Sequence, residues 1–192
     1  MIEFIIPTYN RTEQLQSMLA SLVAQIDDDW IATVVVDDED NEDNNNRIKR
    51  IIDNFNTNKI KYIFTGKRFN DYGHEPREVG KQLSKADYIV MTGDDNYYVP
   101  SFVKEINYVV KNDNVGMVYC DMIHNGYDYV PFYCRIIDGY IDMGAFVTRR
   151  DLAQQLKLGK EYCADGYYTI NFCKLFPNEK TVKINKILFV HN

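Results

Sequence analysis

Apolar positions along this chain switch between two spacings, and the switches mark its elements. Ile2-Glu3-Phe4-Ile5-Ile6 is a short β-branched run that stops at Pro7, the pattern of a buried strand. In the next segment, "NRTEQLQSMLASLVAQI", Leu15, Met18, Leu19, Leu22, Val23 and Ile26 recur at steps of three and four. That spacing puts them on one helical face, and Asn10 with Glu13 three residues later fits a helix start. "WIATVVVDDED" predicts a second strand ending near Asp37, and "NRIKRIIDNF" a helix with Ile48, Ile51, Ile52 and Phe55 on one side. "KIKYIFT" predicts a third strand, "REVGKQLSKA" a helix and "DYIVMT" a fourth strand. "PSFVKEINYVVKN" predicts a helix with Pro100 near its first turn. The second half is less regular: a strand in "VGMVYCDMI", a strand running into a helix in "GAFVTRRDLAQQL", a helix opened by Asp165 in "ADGYYTINFCKLF", and a last strand in "VKINKILFV".

Strands that alternate with helices imply an α/β fold, a central, mostly parallel sheet covered by helices. In such sheets ligands sit beyond the carboxyl ends of the strands. Pro7-Thr8-Tyr9-Asn10, Asp37-Asp38 and Asp94-Asp95 each follow a predicted strand, so three polar clusters are expected at one rim. With 192 residues, no Ser/Gly linker and no internal repeat, a single domain over residues 1–192 is expected.

Composition narrows the partners. A formal net charge of −6 argues against a phosphate-backbone binder, so no nucleic acid is expected. The four cysteines show no CxxC spacing and read as reduced thiols of a cytoplasmic protein. The run Ile2–Ile6 is too short for a signal peptide or a membrane span, and none is expected.

Two adjacent carboxylates at a strand end need an offset to their repulsion. A hard divalent cation, Mg²⁺ or Mn²⁺, supplies one and can hold phosphates; a solvated Asp-Asp-Asn turn is the competing reading. The acidic patch "DDEDNEDNNN" reads as a loop and helix cap whose first two residues, Asp37 and Asp38, sit at the rim. It lacks the Gly and the closing Glu of an EF-hand.

The segments "FIIPTYNR", "VVVDDED", "REVGKQLSKADYIVMTGDDNYYVPSFV", "GYIDMGAFVTRRDL" and "ADGYYTINF" resemble, in order and spacing, the inverting family 2 glycosyltransferases of GT-A fold. The likeness is to the small enzymes of polysaccharide synthesis with a TDDN-like metal motif. It implies a nucleotide-binding half over 1–100 and an acceptor-side half over 101–192. It implies Pro7, Thr8, Tyr9 and Arg11 near the base and ribose, Asp38 on base or ribose, and Arg77 on the diphosphate. Asp94 would touch ribose or metal, and Asp95 would hold Mn²⁺ or Mg²⁺ with His191. Gly93 stands where the commoner DxD motif has its first acid. Asp142, Met143 and Gly144 would sit beside the donor sugar. Asp165 would be the general base, its other reading being a helix N-cap. The donor would be a nucleotide-sugar, a UDP-sugar first, and the acceptor a glycan or other hydroxyl; a homo-oligomer stays open.

His74 and His124 read as surface or core histidines. Tyr127, Tyr129, Phe132, Tyr133 and Tyr140 form an aromatic stretch that suits sugar stacking or plain packing. Two other functions compete. A sugar-phosphate nucleotidyltransferase wants a Gly-rich loop after the first strand, and "PTYNRTEQ" has no glycine. A non-catalytic nucleotide-sugar or glycan-binding module would explain Gly93 but not Asp165.

Overall fold

The computed structural model describes residues 1–112, 114–161 and 163–192, with the backbone alone for Asn112. The elements are β1 (Ile2–Thr8), α1 (Thr12–Val23), β2 (Trp30–Val36), α2 (Glu42–Asp53), β3 (Ile60–Phe64), α3 (His74–Leu83), β4 (Tyr88–Met91), β5 (Tyr97–Tyr98), α4 (Phe102–Asn112), β6 (Val115–His124), β7 (Val130–Phe132), β8 (Phe146–Arg149), α5 (Arg150–Ala153), α6 (Ala164–Leu175) and β9 (Lys180–His191). The strands join one sheet in the order β3-β2-β1-β4-β8-β6-β9-β5, with β7 beside β6.

The first half is a parallel βαβ sheet, and its strands read as apolar runs because helices cover both faces. Every residue of β1 is buried. Among them is Glu3, whose carboxylate accepts hydrogen bonds from the Thr33 hydroxyl and, at 2.6 Å, from the Ser84 hydroxyl. Helix α3 lies directly on β1 and β2: a Cβ added at Gly80 would come within 2.5 Å of Ile5 Cγ2 and 3.1 Å of Val35 Cγ2. Strand order runs outward from β1 to β3, then returns to place β4 on the other side of β1. The reversal leaves a crevice at the carboxyl ends of β1 and β4, where open α/β sheets bind ligands.

The second half joins through antiparallel pairing of β8 with β4 and β6. β9 runs parallel to β6, and its last residues also pair antiparallel with β5, so one strand end is held from both sides. Extra residues in β9 between the partners of Cys120 and Asp121 bend the strand there. The register then sets His191 opposite His124 and beside the segment that follows Asp95. Most of the paired length is parallel, as the sequence pattern implies.

Element boundaries differ from the sequence reading at several places. Helix α1 starts at Thr12 with Arg11 at the cap position and no side-chain cap. Asn10 takes a left-handed backbone (φ 52°), and its side chain accepts from Arg47 instead of capping. The helix also ends before Ile26, which is 67% exposed; buried Gln25 closes this end, donating to Val99 O and accepting from Val103 N. Helix α3 begins at His74, three residues before the expected start, because Gly73 (φ 80°) turns the chain into it. Strands β5 and β7 are too short to leave a periodic signal. All four cysteines are free. Among the described residues no helix is long and apolar enough to cross a membrane.

Candidate active site

A cleft of about 1150 Å³ opens at the β1–β4 crevice and runs toward the end of β9. Pro7, Thr8, Tyr9, Arg11, Arg77, Asp94, Asp95, Asp142, Met143, Asp165 and His191 all line it. Two expected residues do not. Asp38 turns back, its carboxylate accepting from the Glu39 N–H at 2.8 Å, and its neighbour Asp37 lines the cleft instead. Gly144 lies one layer below, where an added Cβ would come within 2.4 Å of the Phe189 ring and 2.9 Å of Thr92 Oγ1. Only glycine lets this turn sit on β9.

The paired acids are anchored across the crevice. The Thr8 hydroxyl donates to Asp94 Oδ2 at 2.7 Å, bridging the ends of β1 and β4. Arg11 Nη1 lies 3.3 Å from Asp94 Oδ1 and 2.6 Å from Asp95 Oδ2. Arg11 therefore spans the two carboxylates. Burial pushes the Asp94 carboxyl above its ordinary range, against the pull of Thr8 and Arg11.

Arg77 is built into the cleft wall. Its Nε donates to Thr92 O at 3.1 Å and Nη1 to Tyr72 O at 2.8 Å. Burial lowers its pKa, and the charges of Asp142, Asp95, Asp94 and Asp165 around it oppose that. Asp142 Oδ1 accepts the Gly144 N–H at 2.8 Å, and its Oδ2 lies 3.1 Å from His191 Nδ1. The latter is an ion-pair contact without an aligned hydrogen bond. Burial raises the Asp142 carboxyl, but His191, the Gly144 N–H and Arg77 together bring it below its usual range. His191 stacks on His124 with ring centroids 4.3 Å apart, and Asp142 raises its pKa despite burial.

Asp165 lies in the first turn of α6, yet it does not cap the helix. The cap position is Cys163, without a side-chain bond, and the Asp165 carboxylate accepts from its neighbour Gly166 at 2.8 Å. Burial, then the nearby Asp142 charge, push its pKa up to about 6. A carboxyl so placed is ionised near neutrality and basic enough to take a proton, which is what general-base work asks of it.

The cleft also holds residues outside the set expected from the resemblance, among them Asp37, which the strand order had placed at the rim. Asp37 accepts from the N–H groups of Phe69 and Asn70 at 2.9 and 3.3 Å and so folds the β3–α3 loop over the rim. That loop brings in Arg68, Asn70, Asp71 and His74. The Arg68 guanidinium stacks 3.2 Å over the Tyr9 ring. Asn70 and Tyr72 hold positive φ of 55° and 60°, strain of the kind that collects at functional sites. The ring nitrogens of His74 are buried without a hydrogen bond, and burial followed by Arg77 lowers its pKa. The turn-rich "NDYG" was the available signal. His124 and Tyr127 also line the cleft.

Six aspartates and three arginines line this cleft among the described residues. The excess of acid matters for any anionic ligand, since it repels phosphates unless a cation is added. The available donors are carboxylate oxygens and an imidazole, which suit Mn²⁺ or Mg²⁺. No three His, Cys, Asp or Glu side chains among the described residues are already gathered as a metal cage.

Comparison with known proteins agrees with this fold. The chain is 26% identical over 135 residues to an uncharacterized glycosyltransferase of Haemophilus influenzae, covering 68% of this chain and 43% of that protein. Its fold matches residues 1–349 of TarS from S. aureus with a TM-score of 0.78 at 15% identity, covering all of this chain and 60% of that one. TarS has also been solved with UDP and with UDP-GlcNAc. A mannosyltransferase from Pyrobaculum calidifontis, solved with GDP-Man and Mn²⁺, matches with a TM-score of 0.76 at 13% identity, covering 99% of this chain and 56% of that one. The chain thus spans between two fifths and three fifths of the length of these relatives. The sequence profile of Glycosyl transferase family 2 matches residues 3–176, every element before β9, and the chain belongs to that family.

Proposed function

We propose that this domain transfers a sugar from a nucleotide-diphosphate donor to an acceptor hydroxyl with inversion at the anomeric carbon. The observation that carries the reading is the convergence of Asp165, its carboxyl pushed up to about 6, on the cleft that holds Arg77 and the Asp94–Asp95 pair. A base stands where leaving-group machinery also stands.

Pro7, Thr8 and Tyr9 line the nucleoside end, and Arg77 faces the donor diphosphate. Asp95 and His191 would hold Mn²⁺ or Mg²⁺. When bound, that cation would neutralise the diphosphate and the leaving nucleotide. Asp165 takes the proton from the acceptor hydroxyl as its oxygen attacks the anomeric carbon. The bond from that carbon to the diphosphate oxygen breaks in the same displacement, and Arg77 stabilises the charge left on the departing phosphate. One displacement requires no covalent nucleophile. Asp142 and Met143 lie on the sugar side, with Gly144 beneath supplying the turn.

The UDP assignment draws on the TarS complexes; the GDP-Man complex of the Pyrobaculum enzyme makes the base an arm of the test. The acceptor is a glycan or another hydroxyl-bearing molecule, and polysaccharide assembly is the proposed setting. A nucleotidyltransferase is disfavoured by the absence of glycine in the β1–α1 turn. Thermal shift with UDP, GDP and their sugars, with and without Mn²⁺, tests the reading, because a ligand that binds the native state raises Tm. UDP-sugars with Mn²⁺ should give the largest shift. No shift with any nucleotide would reject the reading.

A further inference from the structure

Resting on that reading, we infer that Arg11 is the resident counter-ion of the Asp94–Asp95 pair and exchanges places with the divalent cation as the donor diphosphate enters, so that metal and nucleotide bind cooperatively through it. The two arginines near this pair are held differently. Arg77 is tied by Nε and Nη1 to two backbone carbonyls and stays in the wall. Arg11 extends from the start of α1, its side chain is 53% exposed, and among the described residues its guanidinium touches only Asp94 and Asp95. Among the described residues no other hydrogen bond or ion pair fixes its side chain.

Its position conflicts with a metal at Asp95. The contact of 2.6 Å to Asp95 Oδ2 is a charge-assisted hydrogen bond on the carboxylate proposed to hold the cation. A cation that coordinates this oxygen must displace the guanidinium. Without nucleotide the displaced charge returns to water and the pair is broken. With a diphosphate present, the same planar fork gains phosphate oxygens as partners. The diphosphate therefore lowers the cost of clearing Asp95, and by linkage the cation strengthens nucleotide binding by the same factor. This assigns Arg11 to the phosphate–metal boundary instead of the base and ribose.

The test measures Mn²⁺ binding by the loss of its free EPR signal, with and without UDP, in wild type, Arg11→Gln and Arg11→Lys. Circular dichroism melts confirm that each variant folds. Without UDP, Arg11→Gln should bind Mn²⁺ about tenfold more tightly than wild type, while Arg11→Lys, which keeps the charge, stays near wild type. The factor by which UDP strengthens Mn²⁺ binding should be about tenfold smaller in Arg11→Gln than in wild type. Equal Mn²⁺ affinity of wild type and Arg11→Gln without UDP, in protein that binds Mn²⁺ and UDP together, overturns the counter-ion role alone. Failure of wild type to bind either ligand overturns the donor reading and this inference with it.

Discussion

Asp165 is the base of the proposed reaction, and its environment sets two expectations. Its folded-state pKa, about 6, lies above the ordinary 3.8. Ionising it in the fold is therefore unfavourable. The stability it contributes is complete below the unfolded value and is lost as pH rises through about 6. Asp165→Asn should abolish transfer while raising stability at pH 7 by about 1–2 kcal/mol, a figure reduced for screening at the open cleft. Melting curves at pH 7 and pH 4 check this; the gain over wild type should shrink at the lower pH. Activity needs the carboxylate, so kcat/KM should fall as pH drops through about 6, with the unionised form inactive. A flat profile there would move the base elsewhere. At this scale the sequence was informative where a residue type has few uses, as with Asp94 and Asp95. It said little of Arg68 or His74, whose role depends on a loop no periodicity describes.

Loops, more than strands, decide what enters the cleft, and their fixation is testable element by element. The β3–α3 loop depends on Asp37, a strand-end acid whose carboxylate takes two backbone N–H groups. Asp37→Ala leaves both donors unpartnered and should cost about 1–3 kcal/mol, with weaker nucleotide binding measured by calorimetry. The turn before β8 depends on Gly144. Gly144→Ala must push aside Phe189 or Thr92 and should cost about 1–3 kcal/mol in chemical denaturation, with His191 displaced through its shared strand. The helices and parallel strands were legible because their apolar spacing reflects one covered sheet. β5 and β7 were not, since strands of two and three residues form only against a partner. Asn10 illustrates the same limit: its sequence suits a cap, but contact with Arg47 and a left-handed backbone take it out of the helix.

For the whole molecule, topology turns scattered acids into one site. The return of β4 beside β1 joins Thr8 to Asp94, and the double pairing of β9 carries His191 some 96 residues along the chain to the same crevice. Strand order alone placed three of the polar clusters at one rim; only the resemblance to a family drew in Asp142, Asp165 and His191. The excess of aspartate over arginine is a property of the assembled cleft, invisible in any one segment, and it makes cation-assisted binding of a diphosphate the central claim. The most direct measurement is calorimetric titration of UDP into wild type and Asp95→Ala, each with and without Mn²⁺. Mn²⁺ should tighten UDP binding to wild type by about tenfold or more, and Asp95→Ala should lose that gain while remaining folded. Equal UDP affinity with and without Mn²⁺ in wild type, or an undiminished gain in Asp95→Ala, would contradict it.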